Sequence, residues 1–224
     1  MSEADRTNGF SIRRDVLRRD ECDQFLTDLE TDIRSRSAGS RNLFASPTVK
    51  RLATDSRLMS IARDFLDSEP IPYKAILFDK SEACNWLVVW HQDRVLPIRT
   101  RFADSDWGPW TIKDGVQFAQ APVWAMEQIV ALRLHLDDST ENNGPLRVIP
   151  GTHTLGVLDQ NDVVTQAKLA DAVTCTVTKG GVIAMRPLLI HSSTKSVSSS
   201  PRRVIHIEYT RNLRLSETIH LALS

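Results

Sequence analysis

Apolar residues recur at helical spacing in the first third of the chain and at strand spacing after it. Phe25, Leu26, Leu29 and Ile33 form one stripe at three- and four-residue intervals, with Asp20 ahead of it as a cap. Leu58, Ile61, Ala62 and Phe65 form a second stripe behind Asp55 or Ser56, and Pro70 and Pro72 close it off. From there the pattern changes to short β-branched runs at 73–79, 86–91, 129–137, 146–149, 173–178, 182–186 and 204–209. Turn signals separate them: Asn142-Asn143-Gly144-Pro145, Pro150-Gly151, Lys179-Gly180-Gly181 and Ser198-Ser199-Ser200-Pro201. Many short strands at close spacing predict an all-β sandwich or barrel rather than βαβ units. The expected architecture is mainly β with flanking helices, as a single domain over 1–224. A helical region at 1–70 precedes a β core at 71–212, and no linker divides them.

The segment 94–128 breaks the pattern. It lacks periodicity and holds Trp107, Gly108, Pro109, Trp110, Pro122 and Trp124. Loops of this length are usually functional or disordered, and three tryptophans argue against disorder. A lid or pocket wall is expected. Trp107 and Trp110 either cover a substrate or pack in a core.

Charge and cysteine usage narrow the function. Lys and Arg number 28, Asp and Glu 28, so no net charge draws the chain to nucleic acid or an anionic membrane. Arg13, Arg14, Arg18 and Arg19 are interrupted by Asp15 and Asp20 and read as a solvated helix face. Cys22, Cys84 and Cys175 are far apart and form no CxxC, which points to free thiols in a reducing compartment. The start of the chain has no apolar h-region, and no apolar run approaches the roughly 18 residues that span a bilayer. A cytoplasmic location is expected.

Candidate chemistry begins where the run Trp86-Leu87-Val88-Val89 ends in Trp90-His91-Gln92-Asp93. In extended backbone, residues two apart share a face, so His91 and Asp93 present an imidazole and a carboxylate side by side. That is two-thirds of the 2-His-1-carboxylate set that holds non-haem Fe(II) with open positions. A lone His-x-Asp pair is weak, and the third ligand must come from far away. His191, after the apolar run Met185–Ile190, is either that ligand or a satisfied core histidine. Further on, Arg203, Ile205, Ile207 and Tyr209 make a mostly apolar face able to pack under the helices. Arg202, Val204, His206 and Glu208 make the polar one. A polar inner face suits a ligand-filled lumen, where Arg202 is either a carboxylate anchor or a surface ion-pair partner. Arg133, His135 and Asp137 share a face of the 129–137 run. Arg133 and His135 either bind an anionic substrate group or form a cross-strand pair.

Taken in order, four blocks resemble the phytanoyl-CoA dioxygenase family. They are Trp90-His91-Gln92-Asp93; Leu136-Asp137-Asp138 through Glu141-Asn142-Asn143-Gly144-Pro145-Leu146-Arg147-Val148-Ile149-Pro150-Gly151-Thr152-His153; Arg186-Pro187-Leu188-Leu189-Ile190-His191; and Arg202-Arg203. The resemblance runs from about Ala75 to Tyr209, and the ordered set is far more specific than any one block. It implies a double-stranded β-helix of the jelly-roll or cupin-like kind. It implies an Fe(II)- and 2-oxoglutarate-dependent dioxygenase that consumes O2 and hydroxylates an unactivated carbon. His91, Asp93 and His191 match the metal ligands, and Arg202 matches the anchor of the co-substrate's distal carboxylate. Ser193, Lys80 and Asn85 fall where members line the co-substrate pocket. His153 matches a turn or supporting position rather than a ligand. Related halogenases replace the carboxylate with a small residue, so Asp93 favours hydroxylation.

Members act on acyl-CoA esters, amino acids, osmolytes and secondary metabolites. A compact chain without an evident coenzyme A site suits a small molecule or biosynthetic intermediate. Two alternatives stand beside this reading. A catalytically silent β-helix binding module would show an incomplete triad or lack an Arg202 equivalent. A redox-neutral cupin enzyme would add a third histidine near the first two. Oligomeric state stays open.

Overall fold

The computed structural model describes residues 2–34, 43–81 and 84–224; the side chain of Ile33, expected in the first helical stripe, lies outside that description. Four helices open the chain: α1 (Glu3–Asn8), α2 (Arg19–Arg34), α3 (Pro47–Ala53) and α4 (Ser56–Leu66). Two of them, α1 and α3, are too short for their periodicity to show in the sequence. The caps differ in part from expectation. Asp55 caps α4, its carboxylate accepting from the Arg57 N–H. Asp20 instead lies inside the first turn of α2, and Glu21 reaches back to the Arg18 N–H. Helix α4 stops at Leu66, because Asp67 adopts a left-handed conformation.

The β body is two antiparallel sheets. The five-stranded sheet has the order β1 (Phe10–Arg13), β10 (Val182–Met185), β7 (Ile129–His135), β12 (Arg202–Thr210) and β2 (Ile71–Lys80). The four-stranded sheet has the order β3 (Val88–His91), β11 (His191–Ser193), β8 (Leu146–Val148) and β9 (Val173–Cys175). Alternation along each strand sorts the side chains to two cores. Val130, Leu132, Leu134, Ile205, Ile207 and Tyr209 face outward and pack under the helices with Phe25, Leu58, Phe65 and Leu66. Tyr209 also donates its hydroxyl to the Ala53 carbonyl in α3. Ala131, Leu146, Val148, Cys175, Ile183 and Met185 fill the space between the sheets. The Arg203 guanidinium pairs with Asp137 at 2.8 Å. Asp137 therefore leaves the face of Arg133 and His135, because β7 ends at His135 and the chain turns.

The segment 94–128 is not irregular. It forms a third antiparallel sheet, in the order β4 (Val95–Ile98), β6 (Val116–Gln120) and β5 (Trp110–Lys113), followed by α5 (Val123–Met126). Trp107 is buried in its own apolar cluster with Leu96, Ile98 and Met126, where Phe102 meets the rings of Trp107 and Trp110 edge-on. A sixth helix, α6 (Gln160–Leu169), packs against β3. The basic cluster is not a helix face: Arg13 closes β1 and pairs with Asp5, while Arg19 opens α2 and pairs with Asp138.

Candidate metal centre and anion cradle

The double-sheet topology brings the two distant histidines together. His191 opens β11 directly across from His91 at the end of β3. Each imidazole is tied the same way: Nδ1 lies 2.8 Å from a backbone carbonyl two residues earlier, Val89 for His91 and Leu189 for His191. A carbonyl only accepts, so each Nδ1 carries the proton and each Nε2 presents a lone pair. Both Nε2 atoms face Asp93, at 3.5 Å from one carboxylate oxygen each.

Asp93 lies just beyond the strand, its N–H donating to the Pro187 carbonyl at 2.9 Å. Gln92, between the two ligand positions, points away. Its amide donates to the Gly156 and Leu188 carbonyls and accepts from the Leu158 N–H, pinning the strand end. The only signal for Gln92 in the sequence is its place between two ligands that share the opposite face.

One donor atom from each of His91, Asp93 and His191 lies within 4.8 Å of the other two. Two lone-pair nitrogens and a carboxylate on one side fit a divalent cation with open positions. The electrostatics agree. Burial works to raise Asp93, but the positive charge that His191 and His91 carry when protonated, which a bound cation would replace, holds it well below the usual carboxylate range. Burial pushes His191 down to about 4, so it stays a neutral ligand. Burial opposes protonation of His91 as well, yet its contact with Asp93 raises it overall.

The triad opens on a cavity of about 90 Å³ whose lining includes Phe78, Trp86, Arg133, Lys80, Ser193 and Arg202. Arg202 and Lys80 are register partners on β12 and β2, both essentially buried. Lys80 donates to Ser193 Oγ at 2.8 Å and to the Thr194 carbonyl at 2.7 Å. Arg202 donates to the Asn143 carbonyl at 3.2 Å and to Ser193 Oγ at 3.4 Å. Gly144 makes room for this: at φ 70° it needs no side chain, and a Cβ there would collide with the Thr194 carbonyl and crowd Lys80. The cradle thus carries two buried cations held only by neutral groups. Burial pulls Lys80 down to about 8 and Arg202 to about 10.

The other expected site residues fall in different places. Asn85 is taken up by a two-way amide bond with the Ser196 backbone, at 2.8 and 2.7 Å, and is not in the cavity lining. Trp107 and Trp110 belong to the cluster of the third sheet rather than to that lining. Arg133 does line it, its guanidinium 4.9 Å above the Phe78 ring. His135 is buried with neither ring nitrogen bonded. His153 sits beside Gly9, in a different cleft from the triad.

Comparison with known proteins decides the lineage. Residues 6–204 match the family model described as phytanoyl-CoA dioxygenase (PhyH). The chain belongs to the phytanoyl-CoA dioxygenase family. Among curated relatives, an ectoine dioxygenase of Sphingopyxis alaskensis is 26% identical over 186 residues, covering 73% of this chain and 54% of the relative. The chain therefore spans about half the length of the curated relatives it matches. Among solved structures, AviO1 of Streptomyces viridochromogenes superposes with a TM-score of 0.66 at 24% identity, covering 93% of this chain and 92% of that one. HygX of Streptomyces hygroscopicus, solved with nickel and 2-oxoglutarate bound, gives 0.62 at 20% identity over 91% and 82%. These likenesses establish the double-stranded β-helix fold of the PhyH family for this chain. Among the described residues no helix is long and apolar enough to cross a membrane.

Proposed function

We propose that this PhyH-family chain is an Fe(II)- and 2-oxoglutarate-dependent dioxygenase that hydroxylates an unactivated carbon of a small organic molecule. One observation carries the reading: two proton-free imidazole nitrogens and a carboxylate converge on a cavity whose far end holds two buried cations without a carboxylate. His91, Asp93 and His191 would hold the iron. Arg202, with Lys80 and Ser193 beside it, would hold the co-substrate's distal carboxylate. Bound together, iron and keto acid would activate O2, one oxygen atom going to the keto acid as it becomes succinate and carbon dioxide and the other to the substrate C–H as the new hydroxyl.

The protein's own part is position and charge. Asp93 offsets part of the metal's charge. The Nδ1–H bonds to Val89 and Leu189 fix both ring orientations. The guanidinium of Arg202 offers a fork that matches a carboxylate. Phe78, Trp86 and Leu146 form the apolar part of the cavity wall. The intact triad and the presence of Arg202 speak against a silent binding module. The three free cysteines agree with a cytoplasmic enzyme. The absence of net charge gives no support to a nucleic-acid partner.

The test is anaerobic addition of Fe(II) and 2-oxoglutarate to metal-free protein. A weak visible charge-transfer band is expected, lost in His91→Ala and weakened in Arg202→Ala. No band, with no iron retained by elemental analysis, would sink the oxygenase reading.

A further inference from the structure

The charges around the cavity do not balance, and the imbalance names a substrate class. Three cationic side chains line it: Lys80, Arg133 and Arg202, at 1%, 7% and 3% exposure. Among the described residues, none has a carboxylate within ion-pair distance. Lys80 and Arg202 meet only a hydroxyl and backbone carbonyls. Arg133 reaches one neutral acceptor, His206 Nδ1 at 3.2 Å, and its Nε has no partner. The nearby carboxylate of Glu208 is already spent: Lys74 lies 2.7 Å from it, and the Tyr73 hydroxyl and His206 Nε2 donate to it as well. Asp93 is the single acidic group in the lining.

A buried guanidinium without a counter-charge is costly, and an anion that enters beside it offsets that cost. The co-substrate does not meet this need. By the dioxygenase reading one of its carboxylates would go to the metal and the other to Arg202 and Lys80. Arg133 lines the same cavity, and its charge acts on Lys80 and Arg202, but it projects from further along the sheet. Its register partner His206 lies four residues along β12 from Arg202, roughly 13 Å of strand. Its charge also acts on Asp93 and on both histidines, so it flanks the triad as well as the cradle. The Phe78 ring and His206 hold the guanidinium in place ahead of any ligand.

Building on the dioxygenase reading, we infer that Arg133 is a substrate-binding residue and that the substrate carries an oxyanion, a carboxylate or a phosphate monoester, that pairs with it beside the metal. A neutral or cationic substrate would leave the guanidinium buried and unpaired in the complex. An anionic one supplies the missing charge and fixes which carbon faces the metal.

The experiment uses full-length protein loaded with Ni(II) and 2-oxoglutarate, which cannot turn over. Binding is read by calorimetry and by thermal shift, with three matched pairs as probes: benzoate against benzamide, L-proline against L-prolinamide, and phenyl phosphate against phenol. The expected result is that at least one charged member binds wild-type protein ten-fold or more tighter than its uncharged-group partner. The carboxylate and phosphate arms separate the two oxyanion sources. In Arg133→Gln that preference falls to within two-fold, while 2-oxoglutarate binding changes less than three-fold. In Arg202→Gln, 2-oxoglutarate binding weakens ten-fold or more. Anion-free Arg133→Met melts higher than wild type, because an unpaired buried charge is gone; a purely structural arginine would melt lower. The wild-type pairs need no variant, so a misfolded variant does not spare the idea. Equal binding within every wild-type pair, or no binding by any charged member, overturns it. So does an Arg133→Gln that loses 2-oxoglutarate as badly as Arg202→Gln. If wild-type protein takes up neither nickel nor 2-oxoglutarate, the dioxygenase reading itself has failed and this inference goes with it.

Discussion

His91 and His191 are register partners on the antiparallel strands β3 and β11, with ring centroids 4.2 Å apart. That single pairing converts two histidines remote in sequence into one side of a metal site, with Asp93 closing the other. Purified protein is expected to bind one equivalent of Fe(II) or Ni(II), and His91→Ala or His191→Ala to lose it by elemental analysis. Gln92 touches no expected ligand position, yet its three backbone bonds fix the end of β3. Gln92→Leu keeps the volume and removes those bonds. Metal affinity should drop about 10- to 100-fold, the usual cost of losing an orienting partner, measured by competition with a chelator. An unchanged affinity would show that the strand end is held by other means.

Co-substrate binding should depend on pH through Lys80. Burial and the nearby Arg202 bring its ammonium down to about 8. Below that pH the free protein offers two cations to the distal carboxylate; above it, one. Affinity for 2-oxoglutarate should be flat below pH 8 and fall up to about ten-fold per pH unit above it. Lys80→Met should bind more weakly and show no such break. Arg202→Lys, which loses the fork, should cost about 10- to 100-fold, roughly 1.4–2.7 kcal/mol, at every pH. Calorimetric titration of the Ni(II) protein from pH 6.5 to 9.5 distinguishes the two effects.

Much of this site was legible because it lies on period-two strands. Alternation along 202–209 puts Arg202 and Arg203 on opposite faces, and the fold does the same: Arg202 lines the cavity and Arg203 pairs with Asp137 on the far side. The helices over Ile205, Ile207 and Tyr209 follow from the same alternation. What alternation could not reach was structure set by long-range pairing. The strands of 94–128 run only four or five residues, one contains Pro97, and apolar Val95 and Ile112 stand at exposed positions, so no period shows. Asn85 failed for a similar reason: its amide is claimed by Ser196, 111 residues on, a partner no local pattern reveals.

His135 should make the fold sensitive to acid. It is 1% exposed, neither ring nitrogen is bonded, and burial together with Arg133 and Arg202 pushes it down to about 3. In the unfolded chain it would titrate near 6.5. Between those values the unfolded state holds a proton that the folded state refuses, so stability falls as pH falls, by about 1.4 kcal/mol per unit at most. Above pH 7 the residue contributes no slope. His135→Leu should therefore gain stability over wild type progressively below pH 6.5 and gain no further slope above it. Urea unfolding at pH 5.0, 6.0 and 8.0 measures the difference; a pH-independent gap between the two proteins would rule the mechanism out.

Gly180 couples the N-terminal region to the sandwich, and its substitution tests that coupling. It adopts φ 87°, a left-handed conformation, and its carbonyl accepts from the N–H groups of Val16 and Leu17 at 3.1 and 3.0 Å. The Gly180 N–H donates to the His135 carbonyl at 2.8 Å, so one residue joins the lead into α2 to the end of β7. A Cβ at this position would run into the Leu17 carbonyl. Neither the backbone nor a rigid carbonyl gives way as a flexible side chain would. Gly180→Ala thus combines positive-φ strain, about 1–2 kcal/mol, with a steric displacement of the strand-to-helix link. A loss of roughly 2–4 kcal/mol is expected in urea unfolding. The triad sits on β3 and β11 of the other sheet, so the variant that still folds should bind nickel with near wild-type affinity. Loss of metal binding at full folded content would show that the N-terminal layer shapes the site more directly than its contacts indicate.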